Sequence, residues 1–396
     1  MRMLNGVDGL KRTPMIFHRR DAENAEVSQR NFSALPLRTL RLCGEKVSYQ
    51  MLTSFLLTFF FLTQVACNKA PEKTAEQRAY TAQESLAKMR LSEDFNVEVF
   101  LSEPQVMSPT EMVFDENGRI YVAEMLDYPD DPPPGKPVRS RVKLLEDNDG
   151  DGKYERTVVF ADQVLQVSGL LPWKGGLIVT SAPDIFWMKD TDGDGKADIK
   201  QVLFTGFPKV NPEARITNPR YGIDNWIYFA NHGREGRITS PGNLGSLAER
   251  EGLLVRGTDF RYNPTRDLAE NSSGIAQFGL TFDEWGNEFI TENTTHLRQV
   301  VLPFKYLSRA PLLEVPAVAL NIYEDGKVPA KIFPLTGPQE WRKQRTALRQ
   351  QRYDEQGLNR TEYVGGYFSG ASGGTIYNGD AWPAEYRGSV FTGEVS

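Results

Sequence analysis

His232, in "ANHGREG", and His296, in "TENTTHLRQ", are two of only three histidines in a chain of 396 residues. An imidazole of ordinary pKa accepts a proton from a hydroxyl near neutral pH. Each stands beside arginine: Arg234 and Arg237 in the first case, Arg298 in the second. A guanidinium next to such a base can hold an anionic or carbonyl oxygen. Both histidines are therefore candidate catalytic bases, set against the plainer reading of loop histidines that only hydrogen-bond at a surface. The third, His18, lies in an N-terminal leader.

A second constellation is acidic. "LEDNDGDGKYERTVVF" (145–160) returns as "MKDTDGDGKADIKQVLF" (188–204). Asp147, Asp149 and Asp151 alternate in the first, Asp190, Asp192 and Asp194 in the second. Gly152 and Gly195 stand sixth, Glu155 and Asp198 ninth, which is calcium-loop spacing. The twelfth positions are Val158 and Gln201, so the bidentate carboxylate of a helix-flanked calcium loop is missing. Asp-Gly is also common tight-hairpin chemistry, because it tolerates positive φ. Structural calcium and a plain hairpin both stay open, and neither makes these turns catalytic. Zinc-type Cys/His spacing, a P-loop, a GxSxG elbow and a CxxCH haem motif do not occur, so serine-hydrolase chemistry has no support.

The elements that must position these groups are repeats. "MVFDENGRIYVAE" (112–124), "GLLPWKGGLIVTS" (169–181), "RYGIDNWIYFAN" (220–231), "LTFDEWGNEFITE" (280–292) and "YNGDAWPAEYRGSVFTGE" (377–394) share one pattern. It runs apolar strand, Gly or Asn turn, apolar strand, polar residue. Gly118, Gly176, Gly286 and Gly388 mark corresponding turns, with Asn225 in the third copy. The first four copies recur at roughly 50–60 residues, the length of one four-stranded propeller blade, and the fifth follows after a longer interval, 102 residues from Gly286 to Gly388. The outer strands are "RVKLLE" and "RTVVFA", "DIFWMK" and "IKQVLF", "GLLVRGTDFRYNP", then "LRQVVLP" and "AVALNIYED". The polar stretch 337–356 reads as an exposed helical insertion. The fold expected is all-β: a β-propeller of six-bladed type with about five blades present, closure incomplete, and a small helical insertion.

In such a ring the loops after strand two share one face. The residues ending strand two, Glu124, Ser181, Asn231, Glu292 and Glu394, would then form a polar ring on the same face as both histidines. Asn231, Glu292 and Glu124 join Arg234 and Arg298 as candidate cofactor-binding residues. Blade one's long loop (125–141) could overhang the channel with Asp127, Tyr128 or Arg139. "RITNPRYG" (215–222) and "SSGIAQFG" (272–279) lead into first strands, making Arg220 and Gln277 secondary candidates at the channel rim.

The charge balance is −6, which argues against a nucleic-acid surface. Two cysteines, Cys43 and Cys67, cannot build a disulfide framework. Cys67 ends the apolar run "MLTSFLLTFFFLTQVAC" (51–67), which is short for a membrane span and suits a signal segment. Val65-Ala66 before it resembles a lipobox, so Cys67 is expected to be lipidated and to anchor the protein at the periplasmic face of a bacterial envelope. Gln64 departs from that pattern, and no basic residue follows Met51. Residues 1–50 read as a disordered leader ahead of a miscalled start, with Met51 the expected true one. Residues 68–90 read as a tether.

Residues 91–396 resemble the N-terminal propeller of the membrane-bound dehydrogenase family, also known as PVC-type haem-binding proteins. "FNVEVFLSEP", "MVFDENGRIYVAEMLDYP", the "DGDGK" turns, "FDEWGNEFITENTTHLRQVVLP" and "ASGGTIYNGDAWPAEYRGSVFTGEV" carry the likeness. Longer members continue through helical repeats to a CxxCH cytochrome, so the chain is expected to be a fragment. The propeller is also similar to quinoprotein glucose and sorbosone dehydrogenases. That resemblance implies pyrroloquinoline quinone (PQQ) over the channel with calcium, a histidine base and hydride transfer to the quinone. His232 is then the best base, Arg234 or Arg298 lie near the cofactor, and electrons pass to a haem c module outside this chain.

The leading expectation is a lipid-anchored dehydrogenase of a sugar or sugar-like alcohol, with a cytochrome c-type acceptor. Its alternatives are a non-catalytic propeller that binds glycan or protein, and a metal-dependent lactonase-type hydrolase with Glu124, Asn231 and Glu292 as ligands.

Overall fold

A computed structural model of the chain describes residues 79–395, except 94, 249–250, 324–325, 334–336, 339 and 364. The leader, the apolar segment with Cys67 and most of the expected tether lie outside the described residues. Within residues 79–90 one short helix, α1 (Ala82–Lys88), is held by a capping box: the Glu84 amide donates to Thr81 Oγ1 at 3.2 Å, and the Thr81 amide donates to Glu84 Oε2 at 2.9 Å. No helix among the described residues is long and apolar enough to cross a membrane.

Four antiparallel four-stranded sheets follow, each a blade. Blade one is β1 (Pro109–Phe114), β2 (Ile120–Glu124), β3 (Arg141–Glu146) and β4 (Arg156–Ala161). Blade two is β5 (Gly169–Trp173), β6 (Gly176–Ser181), β7 (Asp184–Lys189) and β8 (Ile199–Thr205). Blade three pairs β9 (Thr217–Tyr221), β10 (Ile227–Ala230), β13 (Asp259–Asn263) and β14 (Leu268–Ser272). A separate hairpin, β11 (Gly236–Ile238) and β12 (Leu253–Val255), is inserted between its second and third strands. Blade four is β15 (Gly279–Phe282), β16 (Glu288–Glu292), β17 (Thr295–Val300) and β18 (Ala319–Asn321). A fifth sheet holds β19 (Ser372–Ile376) and β20 (Val390–Gly393). The fold is therefore a propeller-like all-β ring, with the inner strands β1, β5, β9, β15 and β19 adjacent in that order.

The repeated turn has a side-chain cause. Asp115 Oδ1 accepts the amides of Asn117 and Arg119 at 2.9 Å, and Gly118 takes φ +79°. Asp283 does the same for Trp285 and Asn287, with Gly286 at φ +82°. Asn225 supplies the positive φ in blade three, which Asn tolerates better than most residues. In blade two the sequence reading is one residue out: Lys174 and Gly175 form the two-residue turn, and Gly176 already belongs to β6.

The core lies in the seams between sheets. Tyr121, Leu144 and Phe160 of blade one meet Leu170, Leu177 and Met188 of blade two. Ile178, Ile185 and Phe204 meet Ile227, Phe229 and Phe260 of blade three, with Phe204 and Phe260 edge to face at 5.2 Å. Trp226 and Tyr228 meet Leu280 and Ile290 of blade four. The second strands β2, β6 and β10 are thus buried on both faces, which explains why "IYVA" and "IYFA" do not alternate with polar residues.

The helical insertion is α2 (Glu340–Glu355). It is not wholly exposed: Arg342 points inward, donating to Val395 O at 2.8 Å and to Ser369 Oγ.

Candidate functional site

First strands of all five sheets begin at one end of the central channel, and a cavity of about 660 Å³ opens there. Its wall draws on Thr110 and Glu111 of β1, Ser168 before β5, Thr217 and Arg220 of β9, Gln277 before β15 and Ser372 of β19. Across it Arg220 Nη2 donates to both Glu111 carboxylate oxygens, at 3.1 and 3.3 Å. Burial pushes the Glu111 carboxyl above the usual carboxylate range, against the pull of the Arg220 charge. The result is a carboxylate that takes up a proton more readily than a surface one does.

Arg215, only 6% exposed, shares the wall. Its Nε donates to Val210 O at 2.8 Å and its Nη2 lies 3.1 Å from Asp131, while its Nη1 is buried without a hydrogen-bond partner. Blade one's loop roofs the cavity. Tyr128 Oη donates to Glu213 Oε1 at 2.6 Å, which raises the phenol pKa, and Gln277 Nε2 donates to Glu213 O at 3.0 Å. Asp127 and Arg139 shape that loop from within. The Asp127 carboxylate accepts the Ser140 amide and hydroxyl at 2.8 and 2.7 Å and the Arg139 amide at 3.0 Å. Burial alone would raise its pKa, but these bonds outweigh burial and hold it low.

Neither histidine borders this cavity. His232, at φ +47° just past β10, donates its amide to Ala276 O at 3.0 Å. His296 is the second residue of β17 rather than a loop residue, held between the rings of Phe368 at 4.6 Å and Tyr323 at 4.8 Å. Both have a buried Nδ1 without a hydrogen-bond partner. Burial pushes both imidazoles below their ordinary pKa, helped at His232 by Arg234, so both are neutral near pH 7. Arg234 is exposed in the same loop as His232, and Arg298 pairs with Glu292 at 2.9 Å.

The five residues ending second strands brace their own blades instead of converging on the channel. Glu124, fully buried, takes the Met107 amide at 2.7 Å, Arg141 at 2.6 Å and Lys143 at 3.1 Å. Ser181 Oγ donates to Leu165 O at 2.7 Å. Glu394 accepts the amides of Ser369 and Gly370 at 2.9 and 3.0 Å. In these three sheets the residue at the end of strand two clamps the segment that leads into strand one. Asn231 Nδ2 donates to Arg234 O at 2.7 Å, and its amide donates to Asp259 Oδ1 at 2.8 Å. Among the described residues neither Glu124 nor Glu292 belongs to a group of three or more acidic, histidine or cysteine side chains able to share a metal ion. Glu124 is instead paired with Arg141 and Lys143, and Glu292 with Arg298.

The acidic turns join β3 to β4 and β7 to β8, as their spacing in the sequence predicts. Asp147 accepts the amides of Gly150 and Gly152 at 2.7 and 2.8 Å, and Asp190 those of Gly193 and Gly195 at the same distances. Asp147, Asp149, Asp151 and Glu155 can each offer an oxygen within 4.8 Å of the others, as can Asp190, Asp192 and Asp194. Asp198 falls outside the second group; its carboxylate takes the Thr191 amide at 2.7 Å and hydroxyl at 2.9 Å.

Residues 81–396 match the family described as a domain of unknown function, DUF7133. The chain belongs to that family. No curated protein matches it. Among solved structures it is similar to the holo form of the pyranose dehydrogenase PQQ domain from Coprinopsis cinerea, at 14% identity and TM-score 0.33, over 51% of this chain and 49% of that one. A calcium structure of a Trichoderma reesei carbohydrate-active enzyme of family AA12 matches at 13% identity and TM-score 0.29, over 48% and 46%. A luciferin-regenerating enzyme matches at 9% identity and TM-score 0.30, over 49% and 55%. The chain thus spans about half the length of each structure it resembles.

Glu111 and Glu213 were not singled out in the sequence, and Arg215 only as the first residue of the rim segment 215–222. Glu111, inside β1, reads like ordinary strand alternation, whereas Glu213 and Arg215 lie just before β9, and only the ring brings all three to one cavity.

Proposed function

We propose that the channel-end cavity is the active site of an oxidoreductase of the quinone-dependent type, acting on a sugar or sugar-like alcohol. The observation that carries this reading is Glu111, a half-buried carboxylate of raised pKa held at 3.1 Å by Arg220 inside a concave polar site. Glu111 takes the substrate hydroxyl proton, in place of the histidine expected from the sequence. Arg220 orients Glu111, and the Tyr128–Glu213 contact shields the reacting centre from bulk water.

PQQ carries carboxylates, and Arg215, with its unpartnered buried Nη1, suits them, with Arg220 beside it on the wall. When bound, that quinone supplies the two-electron acceptor for the carbinol hydride. Calcium fits the all-carboxylate acidic turns. The envelope setting belongs to the same proposal and rests on sequence alone: Cys67 as lipid anchor, the membrane-bound dehydrogenase family as relatives, and a cytochrome c-type module as electron acceptor.

The test is dye-linked oxidation of a broad sugar and polyol panel by the protein supplied with PQQ and calcium. Turnover that rises with pH as Glu111 ionises is expected; no turnover on any substrate overturns the reading. A binding-only propeller is the second reading, favoured because no histidine stands among the described residues of the cavity wall. Saturable glycan binding without turnover would decide for it.

A further inference from the structure

A second cleft of about 620 Å³ adjoins the first, with Tyr128, Glu213, Phe278 and Ser372 lining both. Its far wall is α2 together with residues 360–363. Arg342, Arg345, Arg349 and Arg360 line it, against only Glu213 and Glu362 among the described lining carboxylates. This positive wall stands in a chain whose net charge is −6, so it is a local concentration and not a general basicity.

Two of the four guanidiniums have structural work. Arg342 anchors the helix to the segment just after β20, through Val395 O and Glu394, and Arg349 pairs with Glu362 at 3.0 Å and donates to Tyr353 Oη at 3.1 Å. The other two do not. Arg345 has no carboxylate partner among the described residues, and the Arg360 guanidinium lies over the Tyr353 ring at 5.0 Å with no acid beside it. Glu213 is already taken by the Tyr128 hydroxyl. Tyr363 and Phe368 add ring surface to the same cleft, and Thr346 and Asn293 add small polar groups.

Unpaired guanidiniums, aromatic faces and short polar side chains together match a ring-bearing polyol that carries an anion. We propose that this cleft selects an anionic saccharide, a glycan bearing a carboxylate or a sulfate ester, with Arg345 and Arg360 taking the anionic group. The proposal deepens the reading of the channel-end cavity as a substrate site: the anionic residue seats in the cleft while a neighbouring sugar reaches Glu111.

The experiment is calorimetric binding, without quinone, of three oligosaccharides of equal length to the wild-type chain and to the Arg345→Gln/Arg360→Gln variant. One oligosaccharide is uronic, one sulfated, one neutral. At least one anionic ligand is expected to bind about tenfold or more tighter than the neutral one, and that advantage disappears in the double variant. The arm that binds tells carboxylate from sulfate. Both arginines sit on exposed cleft surface, and an unchanged unfolding midpoint shows the variant folded. Neutral and anionic ligands binding alike overturns the proposal, as does an anion preference that survives the double substitution. Because binding is read here and turnover is not, absent oxidation would sink the oxidoreductase reading alone. Turnover of neutral sugars with no anion preference would sink this one alone.

Discussion

Glu111 and Arg220 come from strands 109 residues apart, and their ion pair exists only because the ring puts β1 and β9 around one channel. Asp259 shows the same dependence on packing. It is fully buried at the start of β13, and it accepts the amides of Asn231 and Ala276, each at 2.8 Å. Burial nonetheless pushes its carboxyl pKa up to about 7. Its folded pKa lies above the unfolded one, so its contribution to stability is complete below about pH 4 and is lost as pH rises through 7. Urea unfolding should show stability falling across that window by up to about 1.4 kcal/mol per pH unit from this group. Asp259→Asn should flatten the fall, and an unchanged slope would contradict the assignment. Residue chemistry was only partly legible in the sequence. The histidines drew attention by rarity, yet packing holds both away from the cavity. Arg220 and Gln277 were readable as rim residues because they adjoin first strands, whereas Glu111 looked like one polar step in an ordinary strand.

At the scale of elements, blade hairpins were legible because their turns need positive φ, which leaves Gly or Asn at regular intervals. Blade three's inserted β11–β12 hairpin was not, since "LLV" looks as strand-like as "DFRYN" and only pairing separates them. The acidic turns make a distinct prediction. The first offers four carboxylates within reach of one another and the second three. Calcium should therefore raise the thermal midpoint, chelation should lower it again, and Asp149→Asn should remove most of the gain. Calorimetric titration checks this: no calcium response in the wild type would show that the turns act as hairpins alone, and a full response surviving Asp149→Asn would contradict the first turn as the site.

At the scale of the molecule, stability is shared among seams, each built from two successive sheets. The segment before blade one joins the same pattern at blade five, where Phe95 meets Trp382 at 5.6 Å and Tyr386 at 5.3 Å, both edge to face. Phe95→Ala should destabilise the protein by about 2 kcal/mol, less than the loss of a fully buried ring. Denaturant unfolding measures it, and a change near zero would mean this contact does not hold the ring. Four copies at near-regular spacing made the propeller readable, because each must bury its faces against a neighbour. Which groups converge at the channel was not readable, since convergence depends on strand orientation within every blade.

The central claim is that chemistry sits in the channel cavity and not at the two histidines. Steady-state oxidation by the PQQ- and calcium-supplied protein, with Glu111→Gln and His232→Ala measured side by side, tests it most directly. Loss of the base should lower kcat by about 100-fold or more in Glu111→Gln, while His232→Ala stays within a few-fold of wild type. Abolished turnover in His232→Ala with Glu111→Gln unaffected would contradict the account.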